Sequence, residues 1–195
     1  TAAVIKTGAA WVRAYHKQDR KTLEQISEPR FYKYVLKDAD LSSFDLAVKD
    51  LSQEDYRVKA SGDIATIVIP VNNDIITLDL DRSEVFAEDE DLDSERGYRV
   101  TEVTHYDAAN QQQRQLSSVF TSQATLKAFI AALQSRNLDI LHRLSTPDFN
   151  KLVWDRLDET TAKSLPMEGM GQGTTRLIWS NYQGQLTEFR VMHGE

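Results

Sequence analysis

Residues 10–36 read AWVRAYHKQDRKTLEQISEPRFYKYVL, and residues 128–154 read AFIAALQSRNLDILHRLSTPDFNKLVW. The two stretches align without a gap at an offset of 118 residues. The identical pairs are Ala10 and Ala128, Ala14 and Ala132, Leu23 and Leu141, Ser27 and Ser145, Pro29 and Pro147, Phe31 and Phe149, Lys33 and Lys151, and Val35 and Val153. Apolar residues also replace one another: Trp11 by Phe129, Val12 by Ile130, Tyr15 by Leu133, and Ile26 by Leu144. The chain therefore contains an internal repeat whose apolar face is retained.

Each copy of the repeat predicts three consecutive helices. The apolar residues recur three, four and seven positions apart, which is the spacing of one face of an α-helix. Asp19 and its counterpart Asn137 are good N-cap residues and predict the start of a second helix. Pro29 and Pro147 each follow a polar residue and predict the first position of a third, short helix. Phe31 and Phe149 are expected to contribute equally to the two cores, by roughly 3–5 kcal/mol each if fully buried.

Strands are predicted after each set of helices. Residues 41–55 are polar and irregular, with a possible short helix over 44–51, and residues 56–60 fit a strand. Residues 64–71 are rich in Ile and Val and predict a strand buried on both faces, whereas 76–80 alternate like a half-buried strand. Residues 98–107 and 114–121 predict a second hairpin, and 174–181 and 185–193 predict a third. The fold class is therefore α+β, with tandem units at 1–121 and 122–195, the second of them truncated.

Composition excludes several classes of protein. A net charge of −7 argues against a nucleic-acid partner, because such binding depends on Lys and Arg at the phosphates. The absence of cysteine excludes disulfides, thiolate catalysis and Cys-bound zinc. The longest apolar runs are about seven residues, too short to span a bilayer. The chain begins at Thr1 without Met, which suggests a processed protein; export or a periplasmic location is expected, with a cytoplasmic one left open.

The candidate catalytic groups are few. His105 and Asp107 share one face of a predicted strand and could act as acid and base, with Tyr15 as a third member. His16 and His142 lie on predicted helices and are expected to be exposed; His193, near the end of the chain, is expected to fray. Because none of these polar groups is repeated, the sequence favours no catalytic residue. Five residues remain as candidates for lining a ligand cavity: Trp11, Tyr15, His105, Phe129 and Trp154.

Two further motifs predict no bound ion or cofactor. Asp89, Asp91 and Asp93 have the alternation of a calcium loop, but the sixth position is Ser94 and the twelfth is Val100, where such loops have Gly and Glu. Residues 84–97 are therefore predicted to form an exposed acidic loop that binds calcium weakly or not at all. Residues 165–173 form a glycine-rich loop, yet no Gly-Lys-Ser/Thr follows to hold a phosphate. We expect neither a metal nor a cofactor.

The order of elements resembles the nuclear transport factor 2-like, cystatin-like α+β superfamily, in tandem. The resemblance rests on the long helix, the helices opened at Asp19 or Asn137 and at the prolines, and the following antiparallel strands. The segments YRVTEVTHYD and LSTPDFNKLVW are also similar to uncharacterised exported bacterial proteins of planctomycete type. This resemblance implies a cone-shaped fold with a pocket between helix and sheet. Some members of the superfamily are dehydratases, isomerases or cyclases, and many others are binding or dimerisation modules.

Two functions follow from the sequence. The first is a non-catalytic module that associates with a protein partner or with itself, or binds a small apolar ligand. The alternative is a small pocket enzyme of the dehydratase or isomerase kind, using His105, Asp107 and Tyr15. The repeat favours the first function, since it retains apolar helix surface and capping residues and does not retain the polar candidates.

Overall fold

The computed structural model describes residues 1–82 and 97–157, together with the backbone of 178–180 and 186–188. The fold is α+β, and the chain divides into two compact units, unit 1 (Thr1–Thr121) and unit 2 (Ser122–Glu195). Several features predicted from the sequence lie outside the described residues. They are the acidic loop with Asp89, Asp91 and Asp93, the glycine-rich loop, and His193.

Unit 1 begins with three helices, as its sequence predicts. Helix α1 (Ala2–Lys17) ends at Gln18, whose φ of 54° is left-handed. Helix α2 (Arg20–Ile26) starts at Asp19, whose carboxylate accepts a hydrogen bond from the Thr22 amide. Helix α3 (Pro29–Phe31) has proline at its first position, and a π-helical turn (Tyr32–Leu36) continues it.

A five-stranded antiparallel meander follows the helices. Its strands are β1 (Arg57–Ser61), β2 (Ile64–Val71), β3 (Asp74–Asp81), β4 (Arg99–Asp107) and β5 (Gln112–Gln115), paired in that order. Gly62, with a φ of 62°, makes the turn between β1 and β2, where any residue with a Cβ would be strained. A shift of register after Asp79 marks a β-bulge at Thr101 on β4.

One face of this sheet, which we call the inner face, packs against the helices. Its buried residues are Ala65, Ile67 and Ile69 on β2, Ile76, Leu78 and Leu80 on β3, and Val100 and Val103 on β4. They share one apolar cluster with Val4, Trp11 and Tyr15 of α1. Helix α1 lies so close to β2 that a Cβ at Gly8 would collide with the Ile67 side chain. The opposite, outer face of the sheet carries the alternate residues of each strand.

Three secondary-structure predictions for unit 1 are wrong. Strand β2 is buried on one face only, since Ile64 is exposed on the outer face. Residues 44–51 are not a helix: Phe44, Leu46 and Val48 alternate inward as extended chain between two 3₁₀ turns (Leu41–Ser43 and Leu51–Gln53). Residues 114–121 are not a strand throughout, because β5 ends at Gln115 and a helix starts at the next residue.

That helix, α4 (Leu116–Gln134), starts in unit 1 and extends into unit 2. Helices α5 (Leu138–Leu144) and α6 (Pro147–Leu152) follow, and a 3₁₀ turn (Trp154–Arg156) closes the helical part. The predicted third hairpin is present where the structure describes it, as strands β6 (Ile178–Ser180) and β7 (Leu186–Glu188), paired antiparallel. Unit 2 has its own buried cluster of Ala132, Leu133, Leu141 and Trp154.

The geometry of the repeat agrees with its sequence. Arg136, the counterpart of Gln18, has the same φ of 54°. Asn137 caps α5 by accepting from the Ile140 amide, as Asp19 caps α2. Pro147 stands at the start of α6, as Pro29 stands at the start of α3. The prediction that both prolines begin helices is therefore confirmed.

Candidate functional site

The C-terminal end of α1 and the chain after α3 enclose a small pocket in unit 1. Its volume is ≈ 190 Å³, and it is lined by Tyr15, His16, Gln18, Leu41, Ser42, Phe44, Asp45 and Leu46. Ordinary ligand pockets measure about 300–1,000 Å³, so only a very small molecule would fit. Of the five candidate ligand-binding residues, Tyr15 alone lines this pocket.

Tyr15 is committed to the fold by two hydrogen bonds. Its hydroxyl lies 2.6 Å from the carbonyl oxygen of Leu41 and 2.9 Å from that of Phe44. Burial raises the pKa of Tyr15 well above its ordinary value, and the negative charges of Asp40 and Asp45 raise it further. A phenol with a raised pKa and two backbone acceptors holds its proton near neutral pH. Tyr15 therefore fastens residues 41–44 to α1, and it is a poor general base.

Trp11, Phe129 and Trp154 lie in cores. Trp11 is fully buried in unit 1, and its indole nitrogen donates to Ser27 Oγ at 2.9 Å. Trp154 is buried in unit 2 and donates in the same way to Ser145 Oγ at 2.8 Å. Phe129 is half-buried beside Trp154, with 6.1 Å between the ring centroids. Trp11 therefore packs within unit 1, and Phe129 and Trp154 pack against each other within unit 2.

His105 pairs with a carboxylate that the sequence analysis did not identify. Its Nε2 lies 2.9 Å from Oδ2 of Asp74, and both side chains are partly buried. The register of the sheet explains the pair: Ile76 is opposite His105, so Asp74 lies diagonally across on the same face. Only the strand pairing could have revealed Asp74, because 31 residues separate it from His105.

Among the described hydrogen bonds, His105 bonds to Asp74, and the pairing with Asp107 that the sequence left open is not formed. The Asp107 carboxylate accepts from the backbone and side-chain amides of Asn110, at 3.1 and 2.7 Å, and closes the turn after β4. These bonds hold the pKa of Asp107 below its ordinary value. The Asp74 carboxylate accepts from the Ala108 amide and then from His105, and these bonds lower its pKa in the same way. Both carboxylates are thus fixed as anions at neutral pH.

The predicted acid–base set is not assembled. Among the hydrogen bonds of residues 1–82 and 97–157, His105 reaches Asp74 and Tyr15 reaches two backbone carbonyls. His16 and His142 are exposed, as predicted. His16 donates from Nε2 to the carbonyl of Val48, and His142 Nε2 lies 3.1 Å from Asp155. In the same part of the chain, no group of three or more His, Cys, Asp or Glu is placed to hold a metal ion.

The outer face of the unit 1 sheet has an apolar row that sequence reasoning missed. Pro70 pairs with Ile75 across β2 and β3, and Ile75 pairs with Tyr106 across β3 and β4. All three are exposed. Lys59, Thr66, Asp79 and Glu102 form a charged row farther along the same face. The alternation within each strand indicates which residues lie on the outer face. The register of the strands is needed to show that Pro70, Ile75 and Tyr106 are neighbours.

Comparisons with protein-family models, with curated proteins and with solved structures find no match for this chain. The family resemblance drawn from the element pattern stays a prediction.

Helix α4 is the one helix of the described residues that is long and apolar enough to cross a membrane, judged by length and composition alone. Four of its apolar residues already have partners: Leu116 and Phe120 belong to the unit 1 core, and Ala132 and Leu133 belong to the unit 2 cluster.

Proposed function

We propose that this chain is a non-catalytic association module that binds a second copy of itself through the outer face of the unit 1 sheet. The observation that carries the proposal is the exposed row Pro70–Ile75–Tyr106. A contiguous apolar row that spans three strands of a well-packed sheet is typical of a contact surface.

The charges on the same face favour a second copy as the occupant. Lys59 stands at the β1 edge of a row that carries Asp79 on the central strand β3, whereas Glu102 on β4 is already bonded to Ser117. Arg57 lies one row away on the same face and strand. In a two-fold symmetric contact both copies use the same patch, and one copy is rotated by half a turn relative to the other. The basic β1 edge of one copy then faces Asp79 on the central strand of the other. A self-complementary face of this kind favours association between copies.

The remaining candidates support this choice. The pocket of ≈ 190 Å³ is small for an ordinary ligand, and its tyrosine is bonded to the backbone. Trp11 and Trp154 fill cores, so they build the units and leave no ligand surface of their own.

Matched lysine substitutions test the proposal. Ile75→Lys places a charge in the apolar row, whereas Ile140→Lys places the same charge on α5 of unit 2. The two isoleucines are equally exposed, at 39% each, so Ile140→Lys controls for lost apolar surface and added charge. Light scattering after size exclusion in about 0.5 M salt, which screens contacts between exposed charges, should give a dimer for the parent and for Ile140→Lys, and a monomer for Ile75→Lys. Under these conditions a monomeric parent up to about 1 mM, or a dimeric Ile75→Lys, would contradict the proposal.

One observation favours an enzyme as the second candidate. The His105–Asp74 pair, at 2.9 Å with both side chains partly buried, has the geometry of an oriented general base. A turnover screen with dehydratase and isomerase substrates would compare the parent with His105→Ala and with the exposed control His142→Ala. Activity that is lost only in His105→Ala would replace the association module with the enzyme.

We also propose that the chain belongs to the nuclear transport factor 2-like superfamily as a tandem pair of units. Three helices followed by an antiparallel meander in unit 1, and three helices followed by the β6–β7 pair in unit 2, support this assignment. An experimental structure in which residues 10–36 and 128–154 fail to superpose would contradict it.

A further inference from the structure

The third helices of the two units have opposite charges at equivalent positions. We name residues 29–37, which comprise α3 and the π-turn up to Lys37, segment 1, and the equivalent residues 147–155 segment 2. Segment 1 carries Arg30 and Lys37 where segment 2 carries Asp148 and Asp155. All four side chains are exposed. Asp148 also lies in the first turn of α6, where a negative charge is favourable, and Asp155 pairs with His142. The sign of the exposed charge is nevertheless reversed at both positions of the repeat.

Each segment also exposes a large apolar side chain at the same position of the repeat. Tyr34 is 68% exposed on segment 1, and its counterpart Leu152 is 62% exposed on segment 2. They are the two most exposed large apolar side chains of the described residues. Both directly follow a lysine that the repeat retains, Lys33 or Lys151. Equivalent exposure in both copies indicates a surface position in the unit and not a local defect in packing.

From these two observations we propose that segment 1 of one copy binds segment 2 of another copy. The contact would bury Tyr34 against Leu152 at its centre. An antiparallel crossing of the two helices would bring Arg30 toward Asp155 and Lys37 toward Asp148. The occupant is a second copy because the complementary surface is part of the same chain. Tyrosine and arginine are the residues that most often dominate the binding energy of such contacts.

The other charges near the segments differ in their effect on the contact. Asp38 and Arg156, one residue beyond the two segments, are opposite in sign, but an antiparallel crossing brings Asp38 toward Asp148 and Arg156 toward Arg30, which opposes the contact. Lys33 lies over the Tyr34 ring at 5.3 Å from its centroid, so its charge is already held within segment 1. Asp155 Oδ1 lies 3.1 Å from His142 Nε2, and both side chains are half exposed. The Asp155 carboxylate is therefore accessible to a second copy. Lys151 is a positive charge within segment 2, so it opposes the contact with the basic segment 1.

This contact differs in kind from the one proposed for the sheet. The sheet contact uses the same patch on both copies and closes at a dimer, whereas segment 1 on segment 2 uses two different patches and continues head to tail until a ring closes. The two proposals therefore use separate residues and can fail separately. Together they would produce assemblies larger than a dimer.

Charge reversal and mixing test the segment contact, in chains that also carry Ile75→Lys to remove the sheet contact. One variant is Arg30→Asp with Lys37→Asp, which makes both segments acidic. The other is Asp148→Lys with Asp155→Lys, which makes both basic. Sedimentation at low ionic strength should show concentration-dependent association of the Ile75→Lys chain, weakened by about tenfold or more in each reversed variant. An equimolar mixture of the two should recover the association, because each supplies the surface that the other lacks.

A second pair of variants covers the case in which charge reversal disturbs folding. Tyr34→Ser and Leu152→Ser change exposed side chains only, and each should weaken association while leaving the circular dichroism melt unchanged. The proposal is overturned if the Ile75→Lys chain stays monomeric over the whole range. It is overturned equally if the reversed or serine variants associate like their parent, or if the mixture associates no better than its parts.

Discussion

Trp11 and Trp154 occupy different positions of the repeat, yet each donates its indole N–H to the equivalent serine, Ser27 or Ser145. Phe129 stands in unit 2 where Trp11 stands in unit 1, and Leu36 stands where Trp154 does. The indole has therefore moved from the first helix to the end of the third, while its acceptor has stayed. A buried indole N–H without a partner is costly, so the serine restricts where tryptophan can be placed. This exchange explains why both serines are retained.

The two equivalent phenylalanines are not equivalent in burial, which corrects the expectation of equal contributions. Phe31 is 5% exposed in the unit 1 core, whereas Phe149 is 43% exposed and meets Trp154 edge-on at 5.6 Å between centroids. We expect Phe31→Ala to cost roughly 3–5 kcal/mol of unfolding free energy and Phe149→Ala about 1–2 kcal/mol. Urea unfolding of the two variants measures the difference. Equal losses would mean that Phe149 is covered in solution.

Acid should weaken the end of the sheet where Asp74 lies. Hydrogen bonds from Ala108 and His105 lower the pKa of Asp74 in the folded protein. A carboxyl group with a lowered folded-state pKa adds stability that is present above about pH 4, and this stability is lost as the pH falls through the folded-state pKa. Asp74→Asn should therefore be less stable than the parent at neutral pH and lose less stability on acidification.

Thermal melts between about pH 6 and pH 2 test this expectation. Asp63→Asn is a suitable control, because Asp63 is an exposed carboxylate paired with the exposed Arg82. If the melting temperatures of the parent and of Asp74→Asn change in parallel with pH, the charge of Asp74 adds no stability.

At the scale of elements, the sequence predicted the helices of the repeat better than the strands between them. Caps and prolines are local signals, so Asp19, Asn137, Pro29 and Pro147 each marked a helix start correctly. The prediction that β2 is buried on both faces is wrong because its outer positions are also apolar, Ile64 among them, and composition cannot separate one buried face from two. The pairing of His105 with Asp74 depends on register, which no local pattern encodes.

The start of α4 shows a second limit of local patterns. Leu116 and Phe120 fit a helix as well as a strand, and the turn at residues 108–110 after a predicted strand favours a returning strand over 114–121. Glu102, on β4, accepts from the Ser117 amide at 3.1 Å and so caps the first turn of α4 from a distant part of the chain. A cap supplied 15 residues away is not visible in a short window of sequence.

The π-turn after α3 is held by Arg20, which supports a prediction about this element. The guanidinium donates to the carbonyls of Leu36, Lys37 and Ala39. Leu138 replaces Arg20 in unit 2, where α6 is followed by a 3₁₀ turn. We expect Arg20→Met to cost about 1–3 kcal/mol, because three carbonyls lose a charged donor. Lys21→Met, an exposed change on the same helix, should cost much less in the same urea titration.

At the scale of the whole molecule, each unit has its own hydrophobic cluster, and the two clusters share no residue among those described. The unit 1 cluster joins α1, the chain after α3 and the inner face of the sheet; the unit 2 cluster joins α4, α5 and Trp154. Cooperative unfolding follows shared contacts, so separate clusters favour separate transitions. We therefore expect unfolding in two steps, with the larger unit 1 core unfolding in the later one.

Substitutions of two fully buried residues show which unit unfolds in each step. Ile67→Ala empties a site in the unit 1 core, and Leu141→Ala empties one in the unit 2 cluster. Each should cost about 2–5 kcal/mol, and each should shift one transition only. Differential scanning calorimetry of the parent and both variants measures this directly. If the parent shows a single transition and both variants shift it, the two clusters unfold together. The division into two units would then describe how the chain is packed and would not describe how it unfolds.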